Sequence, residues 1–184
     1  MSATSTTATA VPTGTWTLDP VHSSAHFAVK HMVVATFRGR FDEFDANLVA
    51  GDSGARLEGV VKADSIVVKD PNLGGHLKSP DFFDTERYPE IRFVSESLKR
   101  DGDELVAEGE LTIKDQTHPV VARGTVTDPF VTLGDVEKIG LTLETKVDRT
   151  KFGLNWNAPL PRGGVALADE VTITVELELA RAEA

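Results

Sequence analysis

The chain contains no cysteine, one tyrosine and two tryptophans among 184 residues. Without cysteine there is no disulfide, no thiol nucleophile and no cysteine-ligated zinc. That absence says nothing of redox compartment. Basic residues are also scarce, 19 against 29 acidic, giving a net charge of -10 with no basic block. A uniformly acidic surface repels nucleic-acid phosphates and anionic headgroups, so no nucleic-acid partner is expected. No apolar run approaches the ~18 residues a spanning helix needs, so no membrane span is expected. Ahead of Asp19 there is no charged side chain, and Thr and Ser interrupt every apolar stretch. A secretory signal requires a basic segment followed by a continuous apolar one. The expectation is a disordered tail over residues 1–14, one domain over 15–184, and a cytoplasmic location. The chain also lacks a glycine-rich phosphate loop and a dinucleotide fingerprint, so no cofactor is expected.

What is present from Thr15 onward is a period of two. Ala25, Phe27 and Val29 share one face, and Ser24, His26, Ala28 and Lys30 the other. Phe37, Gly39 and Phe41 alternate, then the phase slips to Phe44, Ala46 and Leu48, which predicts a bulge. Similar alternation recurs at Leu57–Ala63, Ile91–Phe93, Leu105–Ile113, Val120–Val126, Ile139–Val147 and Val171–Leu179. This argues for about eight half-buried antiparallel strands. Turn chemistry separates them: Gly51 to Gly54, Asp101–Gly102, Asp128–Pro129, Gly134–Asp135 and Pro161 to Gly164. Only Pro71 to Pro89 breaks the pattern, and it reads as short helical turns packed on the sheet, with Asp81 as a helix cap. Such a set of strands could stack as a sandwich or close into a barrel. Small residues on the alternating face (Gly39, Gly59, Ala107, Gly109, Ala122, Gly124) favour the tight coiling of a barrel. A barrel of eight strands is filled by side chains or holds one small ligand.

Few patterns carry chemistry. Gly51-Asp52-Ser53-Gly54-Ala55 resembles a serine-protease nucleophile loop, but it joins two strands and has no histidine base placed to serve it. His22, His26 and His31 would suit zinc on a helix; on a strand, residues four apart lie ~13 Å apart, beyond reach of ~2 Å metal bonds. No metal site is therefore expected. Nine phenylalanines, several on alternating positions, are more informative. They pack a core, or they line an apolar tunnel in which a long ligand gains ~0.8 kcal/mol per buried CH₂, less the ordering of its chain.

Six segments in order resemble the YceI-like family of polyisoprenoid-binding, lipocalin-like proteins. They are TWTLDPVHSSAHFAVKH (Thr15 to His31), RGRFDEFDA, SPDFFDTERYPEIRF, LTIKDQTHPV, DRTKFGLNW and the closing DEVTITVELEL. Gly74–Gly75 and Asp115 depart from the family pattern, the first near the mouth, the second in a turn. The resemblance implies an all-β fold, an eight-stranded antiparallel lipocalin-like barrel with a short helical insertion. It implies non-enzymatic binding, transport or storage of an isoprenoid lipid, such as a polyprenyl phosphate or isoprenoid quinone, often by a homodimer. It implies no catalytic residue. The expected apolar lining is Phe27, Val29, Phe37, Phe82, Phe83, Phe93 and Phe152, with His22, His31 or Arg149 meeting a polar head at the mouth. Asp148 and Arg149 otherwise read as an ion pair at a strand end. Two alternatives stay open: an enzyme using His22, His31 and a nearby carboxylate, or a filled barrel acting as a stress or assembly module.

Overall fold

A computed structural model describes residues 10–183. The alternating segments form twelve strands in one antiparallel sheet. β1 (Gly14–Leu18) and β2 (Ser24–His31) run in line along β12 (Leu167–Arg181). A 3₁₀ turn over Pro20–His22 interrupts them, and the Asp19 carboxylate accepts from the Val21 N–H to cap it. The neighbouring line is broken likewise into β3 (Ala35–Phe41) and β4 (Phe44–Gly51). The break at Asp42–Glu43 is the expected phase slip, and it leaves both Phe41 and Phe44 on the inner wall.

The remaining strands are β5 (Gly54–Lys62), β6 (Ile66–Val67), β7 (Glu90–Asp101), β8 (Glu104–Ile113), β9 (Gln116–Val126), β10 (Phe130–Val131) and β11 (Glu137–Asp148). The order β11-β9-β8-β7-β5-β4-β1-β12 closes through the β11–β12 pairing, so eight strands complete a barrel. Closure removes the exposed edges an open sheet would carry. The turn residues of the β7–β8 hairpin are Gly102 and Asp103, one position later than the sequence suggested, with Asp101 opposite Glu104. Gly102 takes the left-handed φ of 59° that a two-residue hairpin loop requires.

β2, β3 and β6 continue beyond the closed ring from β12, so β3 pairs with β2 and β6 rather than with β5. The helical segment covers the gap. α1 (Pro71–Lys78) starts at Asp70, whose carboxylate accepts from the N–H groups of Asn72 and Leu73. Asp81 is therefore not the cap; it lies beyond the helix, 3.0 Å from His76 Nε2. Leu77, Phe82 and Phe83 project from this segment onto the barrel's apolar interior.

The interior divides into two halves. The lower half, at the end holding the β4–β5 and β7–β8 turns, is solid: Trp16, Leu48, Leu105, Leu141 and Leu179 pack there almost without exposure. Trp16 Nε1 donates to Pro12 O at 3.0 Å, and Val11 joins the same cluster. The expected tail over 1–14 thus divides. Residues 10–14 run into the barrel floor, while 1–9 lie outside the described residues. The upper half gathers Phe41, Ile66, Phe82, Ile113, Val147 and Leu154 around the roof. Among the described residues no helix is long and apolar enough to cross a membrane.

Candidate functional site

An apolar cavity of about 230 Å³ occupies the upper half of the barrel and reaches down to Ala46, Leu57, Ala122, Leu143 and Leu177 at the top of the lower cluster. Its wall follows from the strand period. Successive inward residues Ala25, Phe27 and Val29 come from β2, Phe37 and Phe41 from β3, and Val171, Ile173 and Val175 from β12. Their alternates are turned to solvent or to neighbouring strands. Phe27 sits directly opposite Gly39 in the β2–β3 register, and a Cβ on Gly39 would come within 2.6 Å of the Phe27 ring. The missing side chain leaves the room that the ring occupies. A chain of ring contacts follows: Phe37 to Phe27 at 6.2 Å, Phe27 to Phe41 at 5.9 Å, and Phe41 to Phe83 at 5.7 Å, edge to face. Phe93 packs against both halves of the interior and marks the cavity floor.

Six of the seven apolar residues expected at the lining are there: Phe27, Val29, Phe37, Phe82, Phe83 and Phe93. Phe152 is buried elsewhere in the roof, edge-on to the His118 ring at 5.0 Å, outside the cavity wall. The packing of His76 and Trp156 around Phe82 in the roof was not legible in the sequence. His76 lies 5.0 Å from Phe82 and 5.1 Å from Trp156, and Phe82 lies 5.6 Å from Trp156. These three rings come from a helix and two loops, and no period connects them. Aliphatic lining residues such as Leu111, Ile113 and Leu167 were equally hidden, because filled cores use the same types.

The polar residues expected at the mouth separate. His31 ends β2, exposed, opposite Leu167 at the upper rim. His22 is on the outer surface in the 3₁₀ turn, its Nδ1 3.0 Å from Asp19 Oδ2, and it takes no part in the cavity wall. Lys138 donates to the same Asp19 oxygen at 2.9 Å and to Glu178 Oε1 at 2.5 Å. The His22 ring and the Lys138 ammonium hold the Asp19 carboxyl well below the usual range; Asp19 in turn raises His22. Donor atoms of Asp19, His22 and Glu178 fall within 4.8 Å of one another, but the Lys138 ammonium already supplies the cation between the carboxylates.

Arg149 touches the cavity edge but is committed to backbone. Its guanidinium donates to Leu154 O at 2.6 Å, Trp156 O at 2.9 Å and Ala168 O at 2.9 Å. It pins the 154–156 loop to β12. The Asp148–Arg149 ion pair expected from sequence is replaced by two separate roles. Arg149 approaches Asp169 at 3.9 Å, and the Asp148 carboxylate accepts from the Thr150 hydroxyl at 2.6 Å and N–H at 2.9 Å. Those bonds lower the Asp148 pKa, whereas burial lowers that of Arg149. Thr145, a polar residue on an inward position of β11, donates to Val121 O at 2.9 Å.

Residues 16–179 match the family model described as the YceI-like domain. A UPF0312 protein of Staphylococcus aureus strain USA300 is 32% identical over 176 residues, covering 91% of this chain and 98% of its own. Among solved structures, BcnA of Burkholderia cenocepacia superposes with a TM-score of 0.73 at 22% identity, over 88% of this chain and 98% of that one. A polyisoprenoid binding domain from Saccharophagus degradans gives 0.67 at 13% identity, over 91% and 98%. A Campylobacter jejuni YCEI protein gives 0.71 at 21%, over 84% and 90%. With all but the outer ends of β1 and β12 inside the matched residues, the chain belongs to the YceI-like domain family.

Proposed function

We propose that the barrel binds an amphiphilic isoprenoid lipid, a polyprenyl phosphate or an isoprenoid quinone, and stores or carries it without chemical change. The observation that carries this reading is the hollow itself: the upper half of the interior is left open behind a wall of phenyl and branched aliphatic side chains. Apolar space of this kind rewards hydrocarbon and little else. A five-carbon isoprene unit gains about 3–4 kcal/mol on leaving water, at ~0.8 kcal/mol per CH₂, before chain ordering is subtracted. Two polar side chains of the cavity wall, Thr145 and Arg149, are engaged with backbone carbonyls, which favours binding over proton transfer at them. The polyisoprenoid ligand named for the Saccharophagus degradans domain agrees with this reading. A homodimer in the cytoplasm is the setting carried over from the sequence.

Solvent extraction of the purified protein followed by mass spectrometry, with uptake of added ubiquinone and polyprenyl phosphate, tests it. Prenyl species in the extract, or saturable uptake abolished by Phe27→Asp in a folded variant, are expected. No prenyl or acyl species and no uptake would overturn it.

A further inference from the structure

The hairpin joining β2 to β3 ends in three apolar residues. Met32 is 40% exposed, Val33 65% and Val34 84%. Tight hairpin turns with left-handed residues are normally built from Asn, Asp or Gly. Here Met32 has φ 51° and Val33 φ 66°. Left-handed backbone is a genuine outlier for a β-branched residue. Strain of this sort persists where something other than stability selects the side chains. The neighbouring loop completes a knob. The Met32 N–H donates to Ala166 O at 2.7 Å, Val33 and Leu160 both flank Gly164, and Val165 is 46% exposed.

The knob grows out of the cavity rim. Val29, Phe37 and Leu167, at its roots, line the apolar space. Lys30 and Arg162 stand beside it in sequence, both exposed, in a chain whose net charge is -10. A second exposed apolar tip, Phe130 at 74% and Leu133 at 97%, lies at the opposite end. That one is bordered by Asp128, Asp135 and Glu137, and the solid Trp16 cluster separates it from the cavity. Among the described residues, the upper tip joins exposed hydrocarbon and cations at the cavity end of the barrel.

We propose that Met32, Val33, Val34 and Val165 form a docking knob for a lipid bilayer, entering the headgroup region with the cavity end of the barrel turned to the acyl chains. The proposal rests on the lipid-binding reading above, because a hydrocarbon cargo must leave and enter a membrane without crossing water. A convex tip of four side chains falls far short of the ~20–30 residues a side that stable protein interfaces use. A few inserted apolar groups with neighbouring cations suffice for reversible binding to a membrane surface.

Flotation of the full chain with vesicles of phosphatidylcholine containing one-fifth phosphatidylglycerol tests the idea, alongside ubiquinone uptake from detergent micelles. The unaltered protein should float. Val33→Asn with Val34→Asn should reduce partitioning about tenfold or more, in line with the lost apolar area, at unchanged uptake from micelles. Val33→Gly relieves the turn, so a partial loss by this variant excludes misfolding as the cause. Phe130→Asn with Leu133→Asn should partition normally. Failure of the unaltered protein to float, dependence on the lower tip instead, or conversion of a dimer to a monomer by the upper variant at undiminished flotation would each overturn the docking knob. Uptake without flotation leaves the cargo reading standing and removes the knob; flotation without uptake does the reverse.

Discussion

Phe27 lies across Gly39, its ring resting where the glycine has no side chain. The ring is part of the cavity wall. Phe27 belongs to the ring chain that runs from Phe37 through Phe41 to the roof, so displacing it disturbs several contacts at once.

Gly39→Ala should therefore destabilise the fold by about 1–3 kcal/mol, the usual range for overpacking, and lower ligand capacity as the ring is pushed inward. Denaturant unfolding and a ubiquinone titration measure the two effects. Combining Gly39→Ala with Phe27→Leu should recover much of the stability, because the two substitutions share one space. Additive losses would show that the ring and the glycine are independent.

Trp16 closes the floor. It is fully buried, donates to Pro12 O at 3.0 Å and has the Arg181 guanidinium 4.4 Å over its ring. Trp16→Ala should cost about 3–5 kcal/mol in chemical denaturation. Trp16→Phe should cost less, losing the hydrogen bond and part of the volume. Since the floor lies below the cavity, ligand affinity per folded molecule should hold in Trp16→Phe.

Arg149 distinguishes a headgroup contact from a staple. Arg149→Met leaves the carbonyls of Leu154, Trp156 and Ala168 without their donor, and should cost about 3 kcal/mol. Its affinity for a quinone and for a polyprenyl phosphate should change equally, if at all. A selective loss for the phosphate-headed ligand, read by titration of both, would return Arg149 to the headgroup.

The Asp19–His22 contact predicts a pH dependence. The His22 pKa is raised chiefly by its hydrogen bond to Asp19, and the Asp19 pKa is lowered chiefly by His22 and then by Lys138. A raised histidine stabilises fully below its unfolded pKa of about 6.5, and that share fades as pH climbs through the folded value. A lowered aspartate stabilises above its unfolded pKa of about 3.9, and its share fades as pH falls further. The pair should thus be at its best between about pH 4 and 6.5. Histidine NMR titration should place His22 above a free histidine, with the midpoint falling toward the ordinary value in Asp19→Asn, where Glu178 still raises it. An unmoved His22 midpoint in that variant would refute the coupling.

Much of the barrel was written in the chain's local order. A period of two tells which residues share a face whatever the partner strand, so Phe27, Val29, Phe37 and Phe93 could be placed inward before any pairing was known. The slip between Phe41 and Phe44 announced its bend for the same reason. Turn residues separated the strands because their backbone demands are local too. Whether the inward face meets its own kind or leaves room is a different matter. Trp16 and Phe27 both stand on inward positions, yet one is locked into a solid floor and the other faces open space. That depends on what the far wall brings, and far walls come from distant segments. Polar side chains are less legible still. His22, His31 and Arg149 looked alike as headgroup partners, but only three-dimensional neighbours gave His22 to Asp19, Arg149 to three carbonyls and His31 to the rim. Hydrophobic patterning acts along the chain and is read there; cavity shape and the choice of hydrogen-bond partner arise between segments, and only the closed barrel decides them.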